Sequence, residues 1–172
     1  MTGDTSPAAD DPQATDWGGL RWSRWHDLDE AHHGKAIPAT PGLYRFQARG
    51  EPGLLYIGES GSARGRRARL GALARGRNRH PPEFYLSWRA AGLTSRPHRG
   101  HYAAPYIRQC EQAGCQVEVS WAVQEHPDKT ERRAVEARLI QLHHEATGAD
   151  PPIQHGGRGV AAYLEKRRAS TA

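Results

Sequence analysis

The sequence is poor in the residues that mark secreted and membrane-embedded proteins. It has only two cysteines, Cys110 and Cys115, among 172 residues. Two cysteines are too few for a disulfide scaffold, and we interpret both as thiols in a reducing compartment. No apolar run approaches the roughly 18 to 20 residues that cross a bilayer. The first 16 residues contain four aspartates and no basic residue, unlike a secretory signal. We therefore expect a cytoplasmic, intracellular protein that has no membrane partner.

Lysine is also scarce, and arginine carries the basic charge. Of the 24 basic residues three are lysines, and the formal net charge is +5. Between Ser60 and Cys110 the chain has eleven arginines and one acidic residue, Glu83. Guanidinium groups suit bidentate recognition of phosphate. This local excess predicts a polyanionic partner, although a solvated basic face without a partner has the same composition.

The length predicts one compact domain. We expect a disordered acidic tail over residues 1–16 and an N-terminal packing segment over residues 17–40, whose tryptophans join the core. The main domain is expected over residues 41–160, followed by a C-terminal tail over residues 161–172; residues 160–168 are a candidate short amphipathic helix. Within it, residues 77–100 are rich in proline, glycine and polar residues and are expected to form an irregular insertion.

The most strongly predicted local structure is a β-hairpin. Strand-like stretches over residues 42–48 and 54–59 flank a turn-rich pentapeptide at residues 49–53. A turn centred near Gly50 places Tyr44 opposite Tyr56, with both phenols on one face of the sheet.

Helices and one further strand are expected after the hairpin. Residues 64–76 read as an arginine-rich helix, residues 102–113 as a helix that ends at Gly114, and residues 117–123 as a strand. The clearest helix begins at Asp128, which has capping-box spacing to Glu131, and runs to Gly148. Its apolar stripe is Val135, Leu139 and Leu142. The pattern predicts an α/β fold with a small, mainly antiparallel sheet flanked by helices.

Two tripeptides, an arginine helix and a late glutamate occur in a suggestive order. Gly42-Leu43-Tyr44 precedes Tyr56-Ile57-Gly58, and Glu136 lies on the late helix. This order resembles the GIY-YIG nuclease family, over roughly residues 41–155. The resemblance implies that family's three-stranded fold.

The resemblance also implies a role for each matching residue. Tyr44 would take a proton from the attacking water, and Tyr56 would orient phosphate and water. Gly58 would allow close backbone approach. Arg66, ten residues after Tyr56, would hold the scissile phosphate. Glu136 would coordinate one divalent cation, magnesium or manganese.

Neighbouring residues have supporting roles in this interpretation. Arg64 and Arg67 are the neighbours that a small shift of the helix would bring into the position of Arg66. The remaining arginines of the basic region are expected to contact nucleic acid; they are Arg69, Arg75, Arg77, Arg79, Arg96 and Arg99.

Two positions depart from the family pattern. Gln154 stands where relatives often have asparagine, and Leu70 stands where some have histidine. His80 or His101 is a possible substitute for that histidine. His98, His101, Cys110 and Cys115 also have zinc-ligating side chains, but their spacing is irregular, and packing is the preferred interpretation of the cysteines.

The sequence therefore predicts a magnesium-dependent endonuclease that hydrolyses DNA, preferably double-stranded. The lack of a separate DNA-binding domain favours a sequence-specific restriction or defence enzyme that dimerises to cut both strands. Two alternatives stay open. One is a nucleic-acid-binding module without catalysis, and the other is a structure-selective repair or junction nuclease.

Overall fold

The structure is a computed structural model and describes residues 11–33, 36–61, 65–77 and 103–171. A 3-10 turn, Trp17–Gly19, precedes the first strand, and a helical turn, Gln154–Gly157, precedes the last helix. The strands are β1 (His26–Asp27), β2 (Gly42–Ala48), β3 (Tyr56–Ser60) and β4 (Val117–Trp121). The helices are α1 (Leu28–His33), α2 (Gly65–Arg77), α3 (Ala104–Gln112), α4 (Lys129–Thr147) and α5 (Val160–Thr171).

Among the described residues the sheet has four strands in the order β1-β4-β2-β3, and all their pairings are antiparallel. The expectation of three strands was therefore wrong by one edge strand. β1 lies in the N-terminal packing segment, where His26 pairs with Val119. A two-residue strand has no alternation for a sequence pattern to reveal, which is why it was missed.

The hairpin is formed by β2 and β3, but its register differs from the expected one. Tyr44 pairs with Gly58 and Phe46 pairs with Tyr56, so the turn is centred near Glu51 and each partner moves by two positions. Because side chains alternate with a period of two, this shift leaves both tyrosines on the same face. Their ring centroids are 6.2 Å apart.

Each face of the sheet has its own apolar core. On one face Tyr44, Phe46 and Tyr56 are buried with side chains from four helices, including Leu28, Leu73, Ile107 and Leu164. On the other face Leu43 and Ile57 pack against Leu139 of α4 and against the N-terminal tryptophans. Helix α4 thus covers the face opposite to the tyrosines.

Both ends of helix α4 lie where the sequence predicted them. The Asp128 side chain accepts a hydrogen bond from the backbone N–H of Glu131 at 2.7 Å, and Gly148 follows the last turn at a φ of 80°. Leu139 is buried, and Val135 and Leu142 are partly buried against the same core. The N-cap at Asp128 and the apolar stripe are both confirmed.

Order begins earlier in the chain than expected. Residues 11–16 were assigned to a disordered tail, but Pro12 is buried, and the carbonyls of Pro12 and Ala14 accept hydrogen bonds from the Arg45 guanidinium. That guanidinium lies 4.3 Å from the ring centroid of Trp22 and 4.7 Å from that of Trp25. A buried strand arginine therefore orders this segment. Residues 1–10 lie outside the described residues.

The C-terminal residues are helical from Val160 to Thr171, which confirms the candidate helix over residues 160–168. They form α5, in which Arg167 and Tyr163 bond to the two carboxylate oxygens of Glu51 in the hairpin turn. The expected insertion lies outside the described residues, apart from Arg77 at the end of α2. Within the described ranges, no helix has both the length and the apolar character needed to cross a membrane.

Candidate functional site

The two motif tyrosines are buried in the core on one face of the sheet. Tyr44 is 0% exposed and Tyr56 is 4% exposed. The Tyr44 ring lies edge-on to Phe46 with a centroid separation of 5.6 Å. The apolar bodies of both rings therefore belong to the core, and the hydroxyl is the one polar group on each ring.

Gly58 provides the space that the Tyr44 hydroxyl occupies. A Cβ at position 58 would lie 2.6 Å from Cζ and 2.7 Å from the hydroxyl oxygen of Tyr44. It would also lie 2.6 Å from Cε1 of Tyr56. Distances this short are overlaps, so the observed packing of the two phenols requires glycine here. This agrees with the close approach that the sequence predicted.

Arg69 of α2 is the arginine that reaches the phenols. Burial lowers the pKa of Arg69, but a hydrogen bond and charge interaction with Tyr44, together with Tyr56 and Glu59, raise it above its usual value. The sequence had placed Arg69 only among the residues expected to contact nucleic acid. Its position beside Tyr44 makes it a member of the site.

Arg66, the arginine predicted for this role, has a different position. Its guanidinium is fully buried and lies over Gly42, where an added Cβ would be 2.7 Å from its Cζ. It donates to the carbonyl and the hydroxyl of Thr40 at 3.2 and 2.9 Å, and to the carbonyl of Ala122. Arg66 therefore ties α2 to the strand ends, and its enclosed guanidinium is not placed to hold a phosphate.

The other predicted arginines contribute less to the described site. Arg67 donates from Nε to the carbonyl of Ile37 at 2.9 Å, which fastens α2 to the preceding loop. Helix α2 includes Arg75 and Arg77. The remaining predicted side chains lie outside the described residues; they are Arg64, Arg79, Arg96 and Arg99.

Glu136 is held in an environment that disfavours its charge. Burial, followed by repulsion from Glu59, raises the pKa of this carboxyl to about 7, and Arg133 and Arg69 oppose the shift. Arg69 and Glu59 both interact electrostatically with Glu136. Arg69 also interacts with Tyr44 and Tyr56. Helices α4 and α2 pack on opposite faces of the sheet, and both contact the edge strand β3.

Glu59 is a site residue that the sequence reasoning missed. Its Oε2 accepts a hydrogen bond from Nε of the buried Arg132 at 2.7 Å. Nη1 of Arg132 donates to the carbonyls of His126 and Pro127 at 2.8 Å each. The available signal was position, since Glu59 directly follows the Tyr-Ile-Gly tripeptide in the strand.

Gln154 fastens the strand that carries Tyr56 and Gly58. Its side-chain oxygen accepts from the backbone N–H of Ile57 at 3.1 Å, and its amide group donates to the carbonyl of Ile57 at 2.8 Å. The backbone N–H of Ile153 donates to Leu55 at 3.0 Å. The longer glutamine arm therefore supports the site by holding the edge of β3.

Two carboxylates near β3 are the candidate ligands for a divalent cation. They belong to Glu136 and Glu59, and repulsion from Glu59 is the second cause, after burial, of the raised pKa of Glu136. Oxygen ligands of this kind suit magnesium or manganese. Across the described residues, no group of three or more histidine, cysteine or acidic side chains is arranged to hold a metal. Of the four side chains considered as zinc ligands, His98 and His101 lie outside the described residues.

Comparisons of the chain with protein-family models, with curated proteins and with solved structures found no match. The resemblance of the two tripeptides to a nuclease family therefore stays a prediction. The interpretation of the site rests on its own residues and their contacts.

Proposed function

We propose that the chain is a metal-dependent phosphodiesterase of the GIY-YIG type that cleaves DNA internally. The observation that carries the proposal is the position of Arg69. One guanidinium is hydrogen-bonded to Tyr44 and interacts electrostatically with Tyr56, Glu59 and Glu136. These residues come from distant parts of the chain, and their side chains suit phosphoryl hydrolysis.

In this proposal Tyr44 accepts the proton of the attacking water at its hydroxyl oxygen. A free phenol, whose pKa is about 10, is a weak base at neutral pH. A guanidinium hydrogen-bonded to the phenol oxygen favours the phenolate, and Arg69 is in this position. Tyr56 orients the phosphate or the water, and Gly58 leaves room for the Tyr44 hydroxyl beside the Tyr56 ring.

Arg69 also replaces Arg66 as the residue that offsets charge on the phosphate. Glu136 holds the divalent cation, magnesium or manganese. When bound, such a cation neutralises phosphate charge and acidifies a coordinated water. Glu59, held by Arg132, adds negative charge beside Glu136 and so favours cation binding there.

The proposed substrate is double-stranded DNA. Support comes from the excess of arginine over acidic residues between Ser60 and Cys110, because arginine binds phosphate through paired hydrogen bonds. We propose a restriction or defence role and a dimer that cuts both strands. The free thiols of Cys110 and Cys115 favour a cytoplasmic setting.

A second candidate function is nucleic-acid binding without catalysis. It is favoured by the almost complete burial of Tyr44 and Tyr56, which belong to the core on their face of the sheet. In that case the tyrosines stabilise the hairpin, and the arginines bind phosphate in a salt-dependent way.

Plasmid cleavage separates the two candidates. The purified chain is incubated with supercoiled plasmid and magnesium, beside E136Q and the matched control E145Q, which alters an exposed carboxylate on the same helix. We expect nicked or linear DNA from the wild type and E145Q, and intact plasmid from E136Q. Salt-sensitive binding with no cleavage by any of the three, with either magnesium or manganese, would establish the binding module instead. Branched DNA and single-stranded RNA, run in parallel, test the substrate class.

A further inference from the structure

The two cysteines lie together where α3 leads into β4. Cys110 is in the last turn of α3, and Cys115 follows Gly114, whose φ is 84°. The backbone N–H of Cys115 donates to the carbonyl of Cys110 at 3.0 Å, which places the two residues side by side. These are the only cysteines in the sequence, so each thiol has one possible intrachain partner.

Polar groups from α5 and the hairpin turn surround Cys115. The hydroxyl oxygen of Tyr163 lies 3.8 Å from Cys115 Sγ, and this hydroxyl also donates to Glu51. Arg167 is paired with Glu51 and donates to the carbonyl of Gly114 at 3.1 Å. A tyrosine hydroxyl and a guanidinium therefore stand beside one thiol.

Cys115 lines a surface cleft, whereas Cys110 lies behind it. The cleft has a volume of about 370 Å³, and its lining includes Cys115, Gly114 and the acidic residues Asp27, Asp29 and Glu111. Cys115 is 6% exposed and Cys110 is 0% exposed. A small molecule that enters the cleft meets Cys115 first. The acidic lining disfavours anionic reagents and admits neutral ones.

The two thiols differ in their readiness to ionise. The hydrogen bond from Cys110 lowers the pKa of Cys115 to about 7 against the effect of burial, with help from Tyr163 and Arg167 and opposition from Glu51. The same hydrogen bond, followed by burial, raises the pKa of Cys110. Thiolates are the reactive form of cysteine, so Cys115 is the nucleophile of the pair.

We propose that Cys115 is a modification site for a small neutral oxidant, hydrogen peroxide, and that Cys110 converts the product into an intrachain disulfide. The Cys115 thiolate attacks one peroxide oxygen, so that an S–O bond forms, the O–O bond breaks, and the leaving hydroxide takes a proton to become water. Cys115 is now a sulfenic acid.

Cys110 then attacks the sulfur of this sulfenic acid. An S–S bond forms, the S–O bond breaks, and the thiol proton leaves with the hydroxyl group as a second water. Oxidation of Cys115 removes the thiolate that held the Cys110 proton, which frees Cys110 for this step. Overall, two thiols lose two electrons and one peroxide is reduced to two waters. The proposal does not depend on the proposed function.

Alkylation of the reduced chain tests whether the two thiols differ in reactivity. The chain is treated briefly with iodoacetamide at pH 8, digested and analysed by peptide mass spectrometry. We expect the Cys115 peptide to react roughly tenfold faster than the Cys110 peptide. Equal rates, or faster reaction of Cys110, would overturn the assignment of Cys115 as the nucleophile.

Peroxide treatment tests the disulfide. We expect the wild type to lose two hydrogen atoms and to show one peptide pair joined between Cys110 and Cys115. C110A should accumulate a sulfenic acid that dimedone traps at Cys115, and C115A should stay reduced. Circular dichroism checks that both variants fold, and the wild-type result stands without them. A wild type that stays reduced, or that yields only intermolecular disulfides, would refute the proposal.

Discussion

Arg45, in β2, and Arg69, in α2, place their guanidinium groups on opposite faces of the β2–β3 hairpin. Arg45 is fully buried among indole rings and backbone carbonyls, and burial lowers its pKa to about 9. Arg69 lies among phenols and a carboxylate, and its pKa is raised. Backbone carbonyls and indole rings contact the first cation, with a smaller charge interaction from Asp11. Phenols and carboxylates surround the second.

This contrast separates a structural arginine from one suited to chemistry. The hydrogen bonds of Arg45 go to backbone carbonyls of Pro12 and Ala14, so these contacts hold the N-terminal segment on the sheet. The groups around Arg69 change charge when protons move, so its contacts can take part in a reaction. Removing Arg45 should therefore affect mainly stability, and removing Arg69 mainly activity.

The largest expected effect is the loss of cleavage on replacing Arg69. R69A should cleave plasmid roughly 100- to 1,000-fold more slowly than the wild type, because it lacks the group that offsets charge on the phosphate, while its thermal midpoint changes little. R66A is the matched control, since it empties a buried site and should unfold at a lower temperature. Normal cleavage by a folded R69A would contradict the assignment.

Replacing Arg45 should produce a loss of stability. R45A leaves a cavity between three tryptophans and unpaired carbonyls at Pro12 and Ala14. We expect its free energy of unfolding to be about 3 kcal/mol lower than that of the wild type. Urea denaturation followed by tryptophan fluorescence measures this directly. An R45A chain as stable as the wild type would show that residues 11–16 do not depend on this arginine.

Gly58 carries no charge but lies against both site tyrosines. Replacing it therefore tests how far packing alone affects stability and activity. G58A places a methyl group against Tyr44 and Tyr56, and we expect a stability loss of roughly 1 to 3 kcal/mol from overpacking. Cleavage should fall as well, since both phenols must move. Unchanged activity with reduced stability would indicate that the phenol positions are not critical for the reaction.

The smallest expected effect concerns the pH dependence of stability at Glu136. Its folded pKa of about 7 lies above the ordinary value of 4.5, so its contribution is favourable below about pH 4.5 and is lost as the pH rises through 7. E136Q stays neutral and should gain about 1 kcal/mol over the wild type between pH 5 and pH 8, after allowance for solvent screening. E145Q should show no such trend in the same urea titrations.

The sequence predicted the parts of the fold that depend on local signals. The caps of α4 at Asp128 and Gly148, and the strand over residues 42–48, depend on neighbouring residues and are confirmed. The two-residue strand β1 and the hairpin register were not, because they depend on partners distant in the chain. The ordering of residues 11–16 also depends on such a partner, Arg45.

The choice between Arg66 and Arg69 shows where sequence reasoning ends at the site. The two residues are three apart on α2, so they lie on nearly the same helix face, and periodicity cannot distinguish them. The space above Gly42 admits Arg66 into the interior, and Arg69 is left to meet Tyr44. That outcome depends on packing between helix and sheet, which no local pattern contains.

The bonds from Gln154 to Ile57 also affect how copies of the chain can associate. β3 is an outer strand, and unpaired outer strands tend to recruit strands from other molecules. With both backbone groups of Ile57 already engaged by one amide side chain, intermolecular β-pairing is blocked at this point. The side chain that steadies the hairpin therefore also protects the protein against aggregation along its own sheet.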